Sequence, residues 1–426
     1  MRAPRQPPRR PVATGGSPFR HPKDPPLSPT TSTGSGATPT RAIAILAFAS
    51  FASAANLRVC DPLLPQIAGE LAVSIGTAAT VVMAFALAYG VLQIVVGPLA
   101  DARGKLRMVV LGSLWAGVAT LISAAMPSLG PLVVMRFLAG AGAAAVIPVA
   151  IAWIGDVVPY ESRQPVLARY ISGQILGIVF GQAAGGLLGD LIGWRLTLVV
   201  LGIAHAAAGV LLFREMRRLG NDVPASREIR WAQSAAQARR VLEDRWVLVI
   251  LGTTFLEGAA MFGALAYVGA ELHERFGLGL GMIGAILASF GVGALVYSWT
   301  ASMLVPRLGQ PGLAISGAVA LATGYAMLAA MPTAWLAPPA IALVGLGFYM
   351  LHNTLQTNAT QMAPESRGLA VSLFAFVLFC GQSVGITLAA PVMDRYGARP
   401  VFLVSVVVIL GLGVYFRRQL LLRGTP

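Results

Sequence analysis

Charge is scarce in this chain. Only 11% of its 426 residues are Asp, Glu, Lys or Arg, against roughly 25% in an ordinary soluble domain. A water-soluble body of that size could not cover its surface with so few charges, which excludes a soluble enzyme, a nucleic-acid module and a wholly disordered chain. Cysteine is nearly absent as well. Cys60 and Cys380 sit in different apolar runs far apart in the chain, so neither a disulfide framework nor a Cys-rich metal site is open to it. The four histidines are scattered, and no metal is expected. There is no GxxxxGK(S/T) nucleotide loop, no HExxH and no pair of catalytic carboxylates. The expectation is no enzyme and no cofactor, with any pumping driven by an ion gradient.

Hydrophobic residues fill the space, at 56% of the chain with a mean hydropathy of +0.73. A helix crosses a bilayer with about 20 apolar residues. Apolar runs of that order lie near 42–62, 76–98, 108–126, 131–153, 166–189 and 194–213, then near 246–269, 280–304, 311–331, 335–358, 368–391 and 399–417. The fold expected is an all-α membrane protein with twelve transmembrane helices, arranged as two pseudo-symmetric six-helix bundles. The bundles would occupy 41–213 and 246–420, joined by a charged linker at 214–245. Residues 1–40 are rich in Pro, Ser, Thr, Gly and Arg and have too little apolar surface to offset ordering entropy. They are expected to be a disordered tail, with 421–426 as a second short tail.

The net charge of +14 is distributed by topology. Of 31 Lys+Arg, 25 fall in tails and loops on one side of this layout, five on the other, and Arg136 lies within a span. Lys and Arg accumulate on the cytoplasmic side of membrane proteins, so both termini are expected in the cytoplasm and the protein in the plasma membrane. Nucleic acid is not an expected partner; the lipid bilayer is. An internal repeat supports the two-bundle layout. A shift of 205 carries Gly104, Gly140 and Gly142 onto Gly309, Gly345 and Gly347. A shift of 204 carries Gly177, Gly181, Asp190 and Gly193 onto Gly381, Gly385, Asp394 and Gly397. Two facing six-helix units leave a seam at mid-membrane, where transporters bind cargo.

Small residues recur every four positions at Gly173, Gly177, Gly181, Gly185 and Gly189, and at Gly277, Gly281, Ala285, Ser289 and Gly293. Such stripes let helix backbones touch closely in lipid. They are expected to join the fifth and eighth spans across the seam, with packing inside each bundle as the alternative. Between the second and third spans runs Gly97-Pro-Leu-Ala-Asp101-Ala-Arg103-Gly104-Lys105-Leu-Arg107. Its carboxylate, Asp101, is suited to a helix N-terminus, whose dipole favours an anion.

These residues carry a resemblance. The segment is similar to the GxxxDRxGR(R/K) loop of the major facilitator superfamily, with Ala102 in place of the usual Arg. Arg136-Phe-Leu-Ala-Gly140-Ala-Gly142 resembles the family's fourth-helix RxxxGxG signature. Gly177-Ile-Val-Phe-Gly181-Gln182-Ala-Ala-Gly185-Gly186 resembles the GxxxGPxxGG signature of drug–proton antiporters, with Gln182 where that signature has Pro. Asp61-Pro-Leu-Leu-Pro65 is similar to the end of the first helix in the twelve-span group. The resemblance implies that spans 1, 4, 7 and 10 line a cavity and that 3, 6, 9 and 12 support it. It also implies that the loop around Asp101 gates the cytoplasmic end.

An ionisable group at the centre of a spanning helix costs about 2.5–3.5 kcal/mol on insertion scales, so each needs a reason. Glu257 lies midway along the seventh span and suits reversible proton binding; a neutral Glu bonded to a neighbouring helix is the alternative. Arg136 either couples to cargo, as the resemblance implies, or is structural. Arg58 and Asp61 are three apart and pair on one helix face, in a gate or near the surface. His352 and Asn353 open the polar run HNTLQTN on the tenth span, which implies a wet cavity or interhelical bonds. His205 reads as a structural histidine.

The function expected is export of a small organic cargo in exchange for protons by alternating access, by a monomer. An uptake permease is the alternative of the same class, and a passive channel or membrane sensor that of another.

Overall fold

The computed structural model describes residues 39–220, 231–363 and 367–424. The expected tail therefore lies outside the described residues up to position 38, as do 221–230 of the expected linker and 425–426. All regular structure among the described residues is helical. In chain order the helices are α1 (Thr40–Arg58), α2 (Leu64–Glu70), α3 (Ile75–Ala78), α4 (Thr80–Arg103) and α5 (Lys105–Ala124). Next come α6 (Leu129–Ala143), α7 (Ile147–Val157), α8 (Tyr160–Arg218), α9 (Trp231–Leu242) and α10 (Arg245–Phe276). The last four are α11 (Leu280–Ala330), α12 (Ala337–Ala359), α13 (Arg367–Tyr396) and α14 (Ala398–Arg423).

Ten stretches among the described residues are long and apolar enough to cross a membrane. Two of them are too long to cross once. The stretches Ser162–Arg218 and Leu280–Ala330 have 57 and 51 residues. Straight helices of that size would run about 75–85 Å, against a hydrocarbon core of about 30 Å. Each is broken by a glycine: Gly193 at φ 80° and Gly309 at φ 60°. Only glycine takes that left-handed region without a steric cost, so these two positions let one helix turn back into the next.

Proline explains smaller departures from the expected runs. The run over 131–153 is interrupted, since α6 ends at Ala143 and α7 resumes at Ile147 with a proline in its first turn. The run over 42–62 likewise ends early. α1 stops at Arg58, and α2 starts after a turn with Pro65 in its first turn. Proline has no N–H to give and fits the first turn of a helix, where none is needed. In the linker region, α8 continues to Arg218 and α9 occupies Trp231–Leu242.

Close packing repeats along the chain. A Cβ at Gly177 would lie 2.4 Å from the Phe51 carbonyl, and one at Gly181 2.6 Å from that of Ala55. Shifted by 204 residues, Gly381 meets the Phe255 carbonyl at 2.1 Å and Gly385 that of Ala259 at 2.1 Å. Shifted by 205, Gly140 against Phe85 (2.3 Å) becomes Gly345 against Phe290 (2.2 Å). In each pair both partners move by the same offset, so the repeat read in the sequence is also a repeat of contacts.

The glycine stripe on α8 does not do what its spacing led us to expect. Gly173, Gly177, Gly181 and Gly185 lie on Ala47, Phe51, Ala55 and Val59 of the first span and its end, and Gly189 on Leu63. The contact with α11 uses a neighbouring face. Gly186 meets Leu280 and Gly284, Gly284 meets Gln182, and Gly291 meets Val179. On the partner side, Gly281 does meet α8, at Asp190 and Leu187, whereas Gly277 caps α10 in a left-handed conformation and Gly293 packs on Ala342 of α12. Residues four apart drift around a helix, so a stripe identifies a tight face but not the helix that covers it.

Candidate functional site

Buried polar clusters lie inside the helical body among the described residues. In the first, Glu257 on α10 is fully buried, and its Oε2 lies 2.9 Å from Nδ1 of His352 on α12. Glu257 Oε1 has no hydrogen-bond partner. The His352 ring is packed between Phe348, stacked at 4.7 Å, and Phe374 at 5.1 Å. Asn353 follows on α12, half-buried, and its carbonyl accepts from Thr357 Oγ1 at 2.7 Å. The pair places a carboxylate against an imidazole, whose ring nitrogens can donate or accept a hydrogen bond.

The second cluster is built on Arg136 of α6, which is wholly buried. Its Nη1 donates to Asn56 Oδ1 at 2.5 Å, and its Nη2 to the Asn56 carbonyl at 2.8 Å. The guanidinium also lies 4.5 Å over the Phe85 ring. Asn56 Nδ2 donates to Thr120 Oγ1 at 2.7 Å, with His205 Nδ1 3.5 Å away. A guanidinium fork held by two oxygens of one residue is fixed in direction, which a lysine could not reproduce.

Arg58 and Asp61 pair at 3.6 Å, and the Arg58 guanidinium sits 4.2 Å over Phe262 of α10. That separation is an ion pair, too long for a hydrogen bond. Asp61 is flanked by Arg58 and by the side-chain amide of Gln182, neither in a short hydrogen bond to it, while the buried side-chain amide of Gln382 has no partner. Buried polar atoms are nearly always bonded. Gln382 on α13 therefore stands out as a fully buried amide left without a partner.

One end of the body is held by two carboxylates. Asp190 on α8 accepts from the amides of Leu280 (2.9 Å) and Gly281 (2.5 Å) at the start of α11. Asp394 on α13 accepts from the Gly76 amide (2.7 Å) and the Ser74 hydroxyl (2.6 Å) ahead of α4. Anions are favoured at helix N-termini by the free amides and the dipole. The loop around Asp101 is arranged differently. Asp101 is exposed and pairs with Lys105 at 3.6 Å, while Lys105 reaches Asp156 of α7 at 2.6 Å. Among the described residues no helix N-terminus donates to Asp101. Arg103 and Arg107 are exposed, Gly104 is buried between α4 and α5, and nothing crowds Gly97.

Sequence reasoning passed over Asn56 and gave His205 only a supporting place. An Asn in the middle of an alanine-rich apolar run was the available signal. Asp190 and Asp394 were visible as members of the repeat, but their partners were not.

The sequence pattern described as Major Facilitator Superfamily matches residues 46–386. The chain is 29% identical over 341 residues to a chloramphenicol resistance protein of Streptomyces lividans, covering 78% of this chain and 84% of that one. It is 27% identical over 386 residues to a puromycin resistance protein of Streptomyces alboniger, with 76% of each covered. Among solved structures, a bacterial homologue of the human lysosomal transporter Spinster, inward-facing and unoccupied, superposes with a TM-score of 0.71 at 16% identity. That match covers 90% of this chain and 97% of the other and bears on the fold alone. With its all-helical body and membrane-length apolar stretches, this chain is a multi-pass membrane transporter and belongs to the Major Facilitator Superfamily.

Proposed function

We propose that the protein exports a small organic compound in exchange for protons, by alternating access. The observation that carries this reading is the Glu257–His352 pair, buried between α10 and α12 with one carboxylate oxygen unmet. The relatives named for resistance to chloramphenicol and puromycin support the outward direction. Counting each glycine-broken stretch as two helices gives twelve spans in two six-helix bundles, 41–213 and 246–420, linked through 214–245. Both termini lie in the cytoplasm of a plasma-membrane monomer, in accord with the basic loops. The end held by Asp190 and Asp394 is then the outer one. Glu257 takes a proton from the outside-facing cavity and releases it inside, and cargo leaves in the opposite half-cycle. Arg136 biases that exchange electrostatically.

Proteoliposomes test this directly. Puromycin and chloramphenicol serve as probes, with uptake and release followed under pH gradients of both signs. Antiport requires an acid exterior to drive the probe outward, and Glu257→Gln should abolish that coupling while leaving probe counterflow in place. Full coupled flux in Glu257→Gln, or a gradient that drives the probe inward, would overturn the reading.

A further inference from the structure

An apolar groove opens on the outer surface of the body between α10 and α14, with a volume of about 590 Å³. Its floor includes Gly252 and Gly411, and a Cβ added at either would meet open space. Its walls are Leu248, Leu256, Leu412 and Tyr415. From Leu248 to Leu256 the groove follows α10 for about 12 Å at 1.5 Å per residue. That nearly equals the depth of one leaflet, about half of a 30 Å hydrocarbon core.

One mouth of the groove is basic. Arg245 begins α10 one turn before Leu248, and Arg418 follows Tyr415 by one turn on α14; both are exposed. Arg423 lies 4.6 Å over the Trp246 ring, which places an aromatic and a third cation at the same level. The rim stays positive because its arginines outnumber the nearby acids. Asp244 keeps its charge while accepting from the Trp246 amide at 2.7 Å, and Glu243 lies 3.8 Å from Arg239. Tryptophan with arginine at the end of an apolar span is the pattern of a headgroup-level belt.

We infer that this groove is a binding site for one anionic phospholipid, its acyl chain lying along Gly252 and Gly411 and its phosphate held by Arg245 and Arg418. The match of groove length to a single leaflet selects a lipid chain over a shorter soluble ligand. The positive rim selects an anionic headgroup over a zwitterionic one, each nearby cation adding to the attraction.

Native mass spectrometry of the purified full chain tests the site, with phosphatidylglycerol and phosphatidylcholine of identical chains offered together. The wild type should retain one phosphatidylglycerol about tenfold or more tightly than phosphatidylcholine. Gly252→Leu and Gly411→Leu, which fill open space and leave the packing alone, should lose the retained lipid. Arg245→Gln with Arg418→Gln should keep a lipid but bind both headgroups alike. Equal retention of the two lipids by the wild type would overturn the inference, as would retention unchanged in Gly411→Leu. Displacement of the phosphatidylglycerol by glycerol 3-phosphate alone would identify a phosphate site in place of a lipid site and overturn it as well. None of these readouts depends on transport.

Discussion

Asp190 and Asp394 make the same contact from opposite sides of the repeat. Asp190 receives the Gly281 amide at 2.5 Å, and Asp394 receives the Gly76 amide at 2.7 Å. Asp190 and Asp394 are 204 residues apart, and Gly76 and Gly281 are 205 apart. Each carboxylate therefore bonds a helix from the other copy of the repeat, so the two bonds tie the copies to each other. Charge-assisted bonds of this kind are the strong ones. Asp190→Asn or Asp394→Asn keeps an acceptor oxygen but removes the charge. Losing about 1–2 kcal/mol at each helix end should raise the open population at this end roughly five- to thirtyfold. Spin-label distances between α4 and α13 would measure it, and the double variant should open further than either single one. Unchanged distances in both single variants would show that these carboxylates do not hold the gate.

Glycines on adjacent faces of α8 should respond differently to one added methyl. At Gly181 a Cβ would press on the Ala55 backbone at 2.6–2.7 Å, a contact between α8 and α1. At Gly186 it would lie 2.1 Å from the Leu280 carbonyl of α11. Overpacking costs typically 1–3 kcal/mol. Gly181→Ala is expected to lower the melting temperature with little effect on the distribution of states. Gly186→Ala should instead push α8 and α11 apart and favour the conformer open at the Asp190 end. Gly155→Ala, which meets open space, is the control. A Gly186→Ala protein with wild-type spin-label distances would contradict this assignment.

Legibility from sequence followed the range of the physics. Helices and membrane-length runs are local, so hydropathy located them. Gly193 and Gly309 ended spans where expected because a positive φ has few other solutions. The Gly177–Gly185 stripe was read correctly as a tight face, yet its partner proved to be α1. Spacing along a helix records which side is small and nothing about what lies opposite. The same limit applied to polar residues. Glu257 and His352 stood out as costly groups in apolar runs, but their contact spans 95 positions. Asn56 escaped because its neutral side chain gives only a weak hydropathy signal, although it holds Arg136 with both its side-chain and backbone oxygens.

Those two hydrogen bonds make Arg136 sensitive to its partner. Asn56→Ala removes the Oδ1 acceptor and the Nδ2 donor to Thr120 together. A bond to a charged group contributes about 1.5–3 kcal/mol, so the variant should unfold at a clearly lower temperature in detergent. Arg136→Lys keeps the charge but has a single nitrogen for two acceptors in different directions. It should lose stability to a similar extent and fail in probe counterflow. Wild-type melting and counterflow in Arg136→Lys would show that charge alone is what this position requires.

His352 provides the sharpest separation of positioning from packing. It touches Glu257 through Nδ1 and is held by Phe348 and Phe374 through its ring faces. His352→Phe preserves the aromatic packing and removes the bond to the carboxylate. His352→Gln preserves a hydrogen-bonding group and sacrifices the stack. If the bond to Glu257 governs coupling, the loss of about 1.5–3 kcal/mol should cut proton-driven flux roughly tenfold or more in His352→Phe. His352→Gln should then retain a larger share of that flux despite its poorer packing. Thermal unfolding should rank the two the other way, because the phenyl ring refills the aromatic cluster. Flux that follows the unfolding order would assign His352 to packing and remove it from the proton path.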